Sequence, residues 1–183
     1  MVYRDVAQRL IYAVPMHCLW LVLAVASTRV GKLHDTESLL SIAVGLPIGI
    51  LALVFSGLAA RETPTATLRR SWFTGLRFTM IVMATFWGLF SSWVLLNLGL
   101  GWDSFIALLA VTSLSGQFIS AGAPALSVLW SCLTLFLVPP AVTSLLLLNG
   151  EAAWVLGIFL GVSWLVSSLQ GLAMSKRYWM HVD

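Results

Sequence analysis

Acidic side chains are few in this sequence and are missing from its apolar stretches. All seven Asp and Glu fall in the termini or in the connections between those stretches. An ionisable group inside a bilayer is costly and is the usual mark of an ion or proton path, so a carboxylate-lined transport route is disfavoured. Charge of either sign is thin, 9% of residues against about 25% in soluble domains. There are only two cysteines, Cys18 and Cys132, both within apolar stretches. A disulfide framework has no support there, and both read as small buried hydrophobes. Of the three histidines, His34 lies in a connection and His181 in the tail, so no group has the spacing of a metal site,. No acid/base pair stands out either. The expectation is a protein that is not an enzyme, with no metal and no cofactor, an unidentified hydrophobic ligand being the one small molecule left open.

What is present is apolar surface. Hydrophobic residues make up 60% of the 183 and the mean hydropathy is +0.96, far outside the soluble range of about 45–50% apolar. The net charge of +3 does not point to nucleic acid, because the basic residues form neither a run nor one amphipathic face,. The first apolar stretch contains Pro15, His17 and Trp20 and no clear small-residue cleavage motif, so it reads as a retained helix rather than a signal peptide,.

A hydrocarbon core about 30 Å thick needs about 20 apolar helical residues. Six stretches meet or approach that, at roughly 10–30, 39–60, 78–98, 105–123, 125–148 and 152–174. The expected fold is all-α, a single polytopic membrane domain over 1–183 with six transmembrane helices. The longest connection, Arg61 to Arg70, leaves no room for a soluble domain. SAGAP, Ser120 to Pro124, is a tight turn that leaves open whether the 105–148 hairpin spans fully.

Lys and Arg near helix ends set orientation. Arg4, Arg9, Arg61, Arg69, Arg70, Arg77, Lys176 and Arg177, eight of the ten, share one face, while Arg29 and Lys32 lie on the other. Both termini are therefore expected to be cytoplasmic, with Arg61, Arg69, Arg70, Arg77, Lys176 and Arg177 as anchors. Trp72, Trp102, Trp154, Tyr178 and Trp179 fall near predicted helix ends, where amphipathic rings favour the headgroup layer,.

His17 is the one histidine inside an apolar stretch. It reads as a hydrogen-bonded packing residue, or else as a ligand contact or an axial ligand to a haem or metal. Pro15 is expected to free a backbone carbonyl in the preceding turn for a polar side chain to engage. The fourth segment carries Thr112, Ser113, Ser115, Gly116, Gln117 and Ser120. It is expected inside the bundle, with Gln117 either packing or lining a cavity. Nine tryptophans are a heavy load. Trp20, Trp87 and Trp130 are candidate ligand or signal contacts, with core filling as the alternative. GLPIG (Gly45, Gly49) and GIFLG (Gly157, Gly161) suit close helix approach within the chain or between two chains,. Pro139 and Pro140 remove two backbone donors from one segment and are a candidate hinge,.

Several of these features occur together: a basic start with Trp72 and Phe73, FWG at Phe86 to Gly88, the small polar helix with Gly116, AGAP before a helix containing VPP, Asn149 and Gly150, and a last helix closing on SKRYW. Over residues 69 to 179 the sequence resembles the amino-terminal membrane-integral sensor region of bacterial GGDEF-type diguanylate cyclases and of sensor and hybrid histidine kinases. The resemblance implies an input module of the bacterial inner membrane. Such a module acts as a homodimer in contact with membrane lipid, and passes a signal through its last helix to a cytoplasmic output domain in cis. The sequence contains no GGDEF motif and no kinase motif. It is expected to be the sensor part of a longer protein or a stand-alone relative. The competing expectation is a small accessory subunit of a photosynthetic, respiratory or secretion complex.

Overall fold

In hydrocarbon every backbone N–H and C=O must be paired within its own segment, so an apolar chain with no closed barrel crosses a membrane as helix. The computed structural model describes residues 2–27, 35–61, 66–122 and 125–180. They form α1 (Val2–Ser27), α2 (Asp35–Ala60), α3 (Ala66–Leu98), α4 (Trp102–Gly122), α5 (Leu126–Val142) and α6 (Glu151–Met180), with a π-helical turn, Thr143–Leu147, continuing α5. No strand occurs among the described residues. All six helices are long and apolar enough to cross a membrane, the hairpin of α4 and α5 included.

The helices run further than the apolar stretches that announce them. α1 begins at Val2, α3 at Ala66 and α6 continues to Met180. Hydropathy registers only the part of a helix that suits lipid. The turns carrying Arg70 and Arg77 are helical all the same, with both side chains exposed. Arg29, Lys32, His34 and His181 lie outside the described residues, as does the side chain of Arg69.

The acidic residues need a correction. Asp103 does not sit in a loop; it lies in the first turn of α4 and is only 4% exposed. The unpaired N–H groups of a helix start carry partial positive charge, which favours a carboxylate there. Two turns require glycine. Gly99 (φ +67°) ends α3 in the left-handed region, and its N–H donates to the Leu95 carbonyl at 3.1 Å,. Gly150 (φ +106°) precedes α6, and its carbonyl accepts from the Ala153 and Trp154 N–H groups.

α3 and α4 form the middle of the bundle. α1 packs along α2 and lies on α4, while α2 lies on α3. On the other side α5 packs against both α3 and α4, and α6 lies mainly on α5. Trp87, Phe118, Phe136, Met83 and Leu114 are among the largest fully buried side chains. The Phe118 and Phe136 rings meet edge to face at 5.2 Å, joining α4 to α5.

Candidate functional site

His17 is fully buried and ties three helices together. The Trp87 indole Nε1–H of α3 donates to His17 Nδ1 at 2.7 Å, and His17 Nε2 lies 2.9 Å from the Gly45 carbonyl of α2. An indole nitrogen only donates and a carbonyl only accepts. Nδ1 is therefore the acceptor and Nε2–H the donor, and neither nitrogen is left for a metal or haem iron. Three or more metal-ligating side chains come together nowhere among the described residues. The carbonyl that His17 engages belongs to α2 and not to the turn freed by Pro15, so the expected local pairing is replaced by one between helices. The ring also meets Trp87 and Phe86 edge-on, at 5.8 and 6.2 Å.

Two more indoles link helices in the same way. Trp20 Nε1–H of α1 donates to Ser113 Oγ of α4, and Trp164 Nε1–H of α6 to Thr134 Oγ1 of α5, both at 3.2 Å. By contrast most hydroxyls bond their own helix: Thr85 donates to the Ile81 carbonyl and Ser92 to that of Gly88, both at 2.8 Å, and Ser91 to that of Trp87. His17, Trp20 and Trp87 thus gather around α1. Among the described residues no hydrogen bond or ring contact joins Gln117 or Trp130 to them. Gln117 is half-buried with Oε1 unpartnered, and Trp130 is 48% exposed on α5.

Glycines set the separations. A methyl group at Gly45 would lie 2.6 Å from Leu21 Cδ2 and 3.1 Å from Phe86 Cζ; one at Gly49 would lie 2.8 Å from His17 Cδ2 and 2.9 Å from Cys18 Sγ. The Gly45/Gly49 face is therefore filled from within the chain. Gly157 packs on Leu145 and the Ala141 carbonyl, whereas Gly161 has open space.

Gly88 allows the closest approach, since a methyl group there would collide with the Leu135 carbonyl oxygen of α5. That carbonyl lies four residues before Pro139, which has no N–H to give it. α5 nonetheless continues through Pro139 and Pro140, and the irregularity follows them as the π turn, where Leu148 N–H donates to the Thr143 carbonyl at 3.2 Å.

Behind the His17 clasp, α2 and α3 part into a groove of about 580 Å³ open along its length. Ser41, Val44 and Ile48 of α2 face Val82, Phe86, Phe90 and Trp93 of α3. Phe86 and Phe90 lie near-parallel at 5.9 Å, and Phe90 and Trp93 at 6.4 Å. Phe86 is both groove wall and neighbour of His17. None of the five candidate contacts lines this groove. Sequence reasoning missed Ser41 and Phe90, and offered Trp93 only as one of five tryptophans that could line an aromatic pocket, because nothing in a uniformly apolar helix marks the side that faces a gap. Of the anchors, Arg61, Arg70, Arg77, Lys176 and Arg177 are all exposed.

These features define a multi-pass helical membrane protein with a buried polar clasp and a lateral apolar groove. No family model matches the chain, and no curated protein or solved structure does.

Proposed function

We propose that the protein is a non-catalytic input module of the bacterial inner membrane, with both termini cytoplasmic. It works as a homodimer and passes a membrane or small-molecule signal through α6 to a cytoplasmic cyclase or kinase output domain. The resemblance of residues 69 to 179 to such sensor regions supports the class. The observation that carries the mechanism is the state of α6. Only 17% of its apolar window is buried, so it is the helix least held by the rest. Its 30 residues span about 45 Å, more than a hydrocarbon core of about 30 Å. A shift of α6 is therefore presented beyond the membrane, near Lys176 and Arg177.

α5 connects the clasp to that helix by two close contacts: Gly88, next to Trp87 on α3, meets Leu135, and further along Ala141 and Leu145 meet Gly157 of α6. A ligand or lipid that binds two arrangements of these contacts unequally would shift their populations. His17, Trp87, Gln117 and the Pro139 to Pro140 stretch are the residues through which it acts. A signal response left intact by substitution of both His17 and Gln117 would remove those two from the mechanism.

The second reading, an accessory subunit, draws on the same exposed α6 face, where Val155, Phe159 and Leu169 are more than half exposed. One experiment separates them: intact mass and stoichiometry of the gene product isolated from its own membranes. A discrete homodimer of chains well above 19.9 kDa supports the input module. A chain near that mass in fixed stoichiometry with a foreign membrane protein overturns it in favour of the subunit.

A further inference from the structure

The α2–α3 groove has one polar end. Trp20, Trp87 and Trp164 each give their indole N–H to an acceptor on another helix. Trp93, which lines the groove, has no acceptor for its own among the described residues, and the Ser41 hydroxyl has no partner there either. An indole N–H in apolar surroundings ordinarily finds an acceptor.

The two donors lie near each other. Gly45 packs on Phe86 and Gly75 on Phe55, so α2 and α3 run antiparallel and Ser41 falls near the level of Phe90 and Trp93. This level is near the membrane boundary, since Asp35 and Glu37 precede Ser41 by one to two turns in the sequence and Trp93 lies one to two turns before the end of α3. Ile48 and Val82 close the other end.

Length fixes the occupant. From Val82 to Trp93 α3 rises about 16 Å, and one leaflet of a hydrocarbon core is about 15 Å deep. The groove thus runs from the headgroup boundary to the bilayer midplane, with unpartnered hydrogen-bond donors only at the boundary, because the Thr85 hydroxyl that also lines it donates to the Ile81 carbonyl. We propose that it is a specific site for one acyl chain of a glycerolipid in the leaflet next to the start of α2 and the end of α3. The ester carbonyl, which lies where hydrocarbon meets headgroup, accepts from Trp93 Nε1–H and Ser41 Oγ–H, and the chain runs past Phe86 to Val82. Because Phe86 also touches His17, occupancy bears on the clasp. The site is independent of the input-module reading.

The test is native mass spectrometry of the delipidated full chain in detergent, titrated with a diacyl phosphatidylethanolamine and with its dialkyl ether analogue, which lacks the carbonyl. One diacyl lipid should bind per chain, and the ether analogue about 25-fold more weakly, as expected for the loss of two neutral hydrogen bonds of about fivefold each. Trp93→Phe and Ser41→Ala should each weaken diacyl binding about fivefold and leave the ether analogue unchanged. Val82→Trp, with folding checked by thermal melting, should remove both. Several equivalent lipids, or equal ester and ether affinities insensitive to Trp93→Phe and Ser41→Ala, would mean ordinary annular lipid and overturn the proposal. Preferential retention of an isoprenoid quinone would overturn it as well.

Discussion

α3 and α6 are nearly equal in length, 33 and 30 residues, and both are strongly apolar. Yet 61% of the apolar window of α3 is buried against 17% for α6. Apolar character cannot sort two such helices, because lipid tails satisfy a Leu or Val as well as a protein interior does. The difference lies in small residues and in indole donors. α3 places Gly88 on a carbonyl of α5, Gly75 on Phe55 and Trp87 on His17. α6 has two close glycines, Gly157 on Leu145 and Gly171 on Leu129, but the nearest atoms of both are side-chain carbons and not backbone oxygen as at Gly88, and it has one indole bond, Trp164 to Thr134. Burial in this bundle follows from where backbones approach and where polar groups find partners.

The strongest way to break the comparison is at Gly88. The atom an added methyl group meets is backbone oxygen, which cannot rotate away as a side chain would. Gly88→Ala should separate α3 from α5 and cost about 3 kcal/mol, the upper part of the usual overpacking range. That corresponds to about 6–12 °C in melting temperature for a chain of this size, measured by thermal unfolding in detergent. Gly88→Leu should give no folded protein. A Gly88→Ala variant that melts like the parent would mean that α3 and α5 do not touch in this way.

The clasp comes next. Trp87→Phe leaves Nδ1 of His17 without a donor, and His17→Leu leaves the indole N–H without an acceptor. Each should cost about 1–3 kcal/mol, the penalty for orphaning a buried polar group. Because each single change already abolishes the shared bond, the double variant should lose clearly less than the sum of the two. Additive losses would show that the two rings do not interact.

The number of helices was legible in the sequence because six apolar runs of bilayer length admit little else. Their ends were not: the stretch from Ala66 to Arg77 is too polar for a hydropathy window, yet it is helical. The polar character of His17 in its apolar surroundings was legible, and so was its alternative as a packing residue. Its partners were not, since Trp87 is 70 residues away and Gly45 is 28. Gly88 stood in the FWG triplet, but only the trajectory of α5 past Pro139 gives that glycine its role. Trp93 looked like any other tryptophan until three of the others proved to be bonded across helices. The groove depends on which face of α2 meets which face of α3, and helices apolar on all sides carry no record of that.

Smaller changes sharpen the view of α6. Trp164→Phe removes its one indole bond to α5, half-exposed and between neutral groups. Hydrogen bonds between membrane helices average about 0.6 kcal/mol, so a fall of about 1–2 °C is expected, well below that for Trp87→Phe. A loss as large as that of the clasp variants would mean that α6 is held more firmly than its exposure suggests.

The smallest effect is expected at Gly161. It is exposed, and an added methyl group meets nothing within 4 Å. Gly161→Ala relieves the helix of a glycine, which in water is worth up to about 1 kcal/mol. The melting temperature should therefore hold or rise slightly, whereas Gly157→Ala must displace Leu145 and should lower it. The two glycines of GIFLG would then separate into one that packs within the chain and one that does not. If Gly161→Ala instead lowered the melting temperature, or dissociated a dimer seen by cross-linking in the membrane, the space at Gly161 would have to be filled by another chain. The exposed side of α6 would then be an interface rather than a surface for lipid, and its low burial would describe only the isolated protomer.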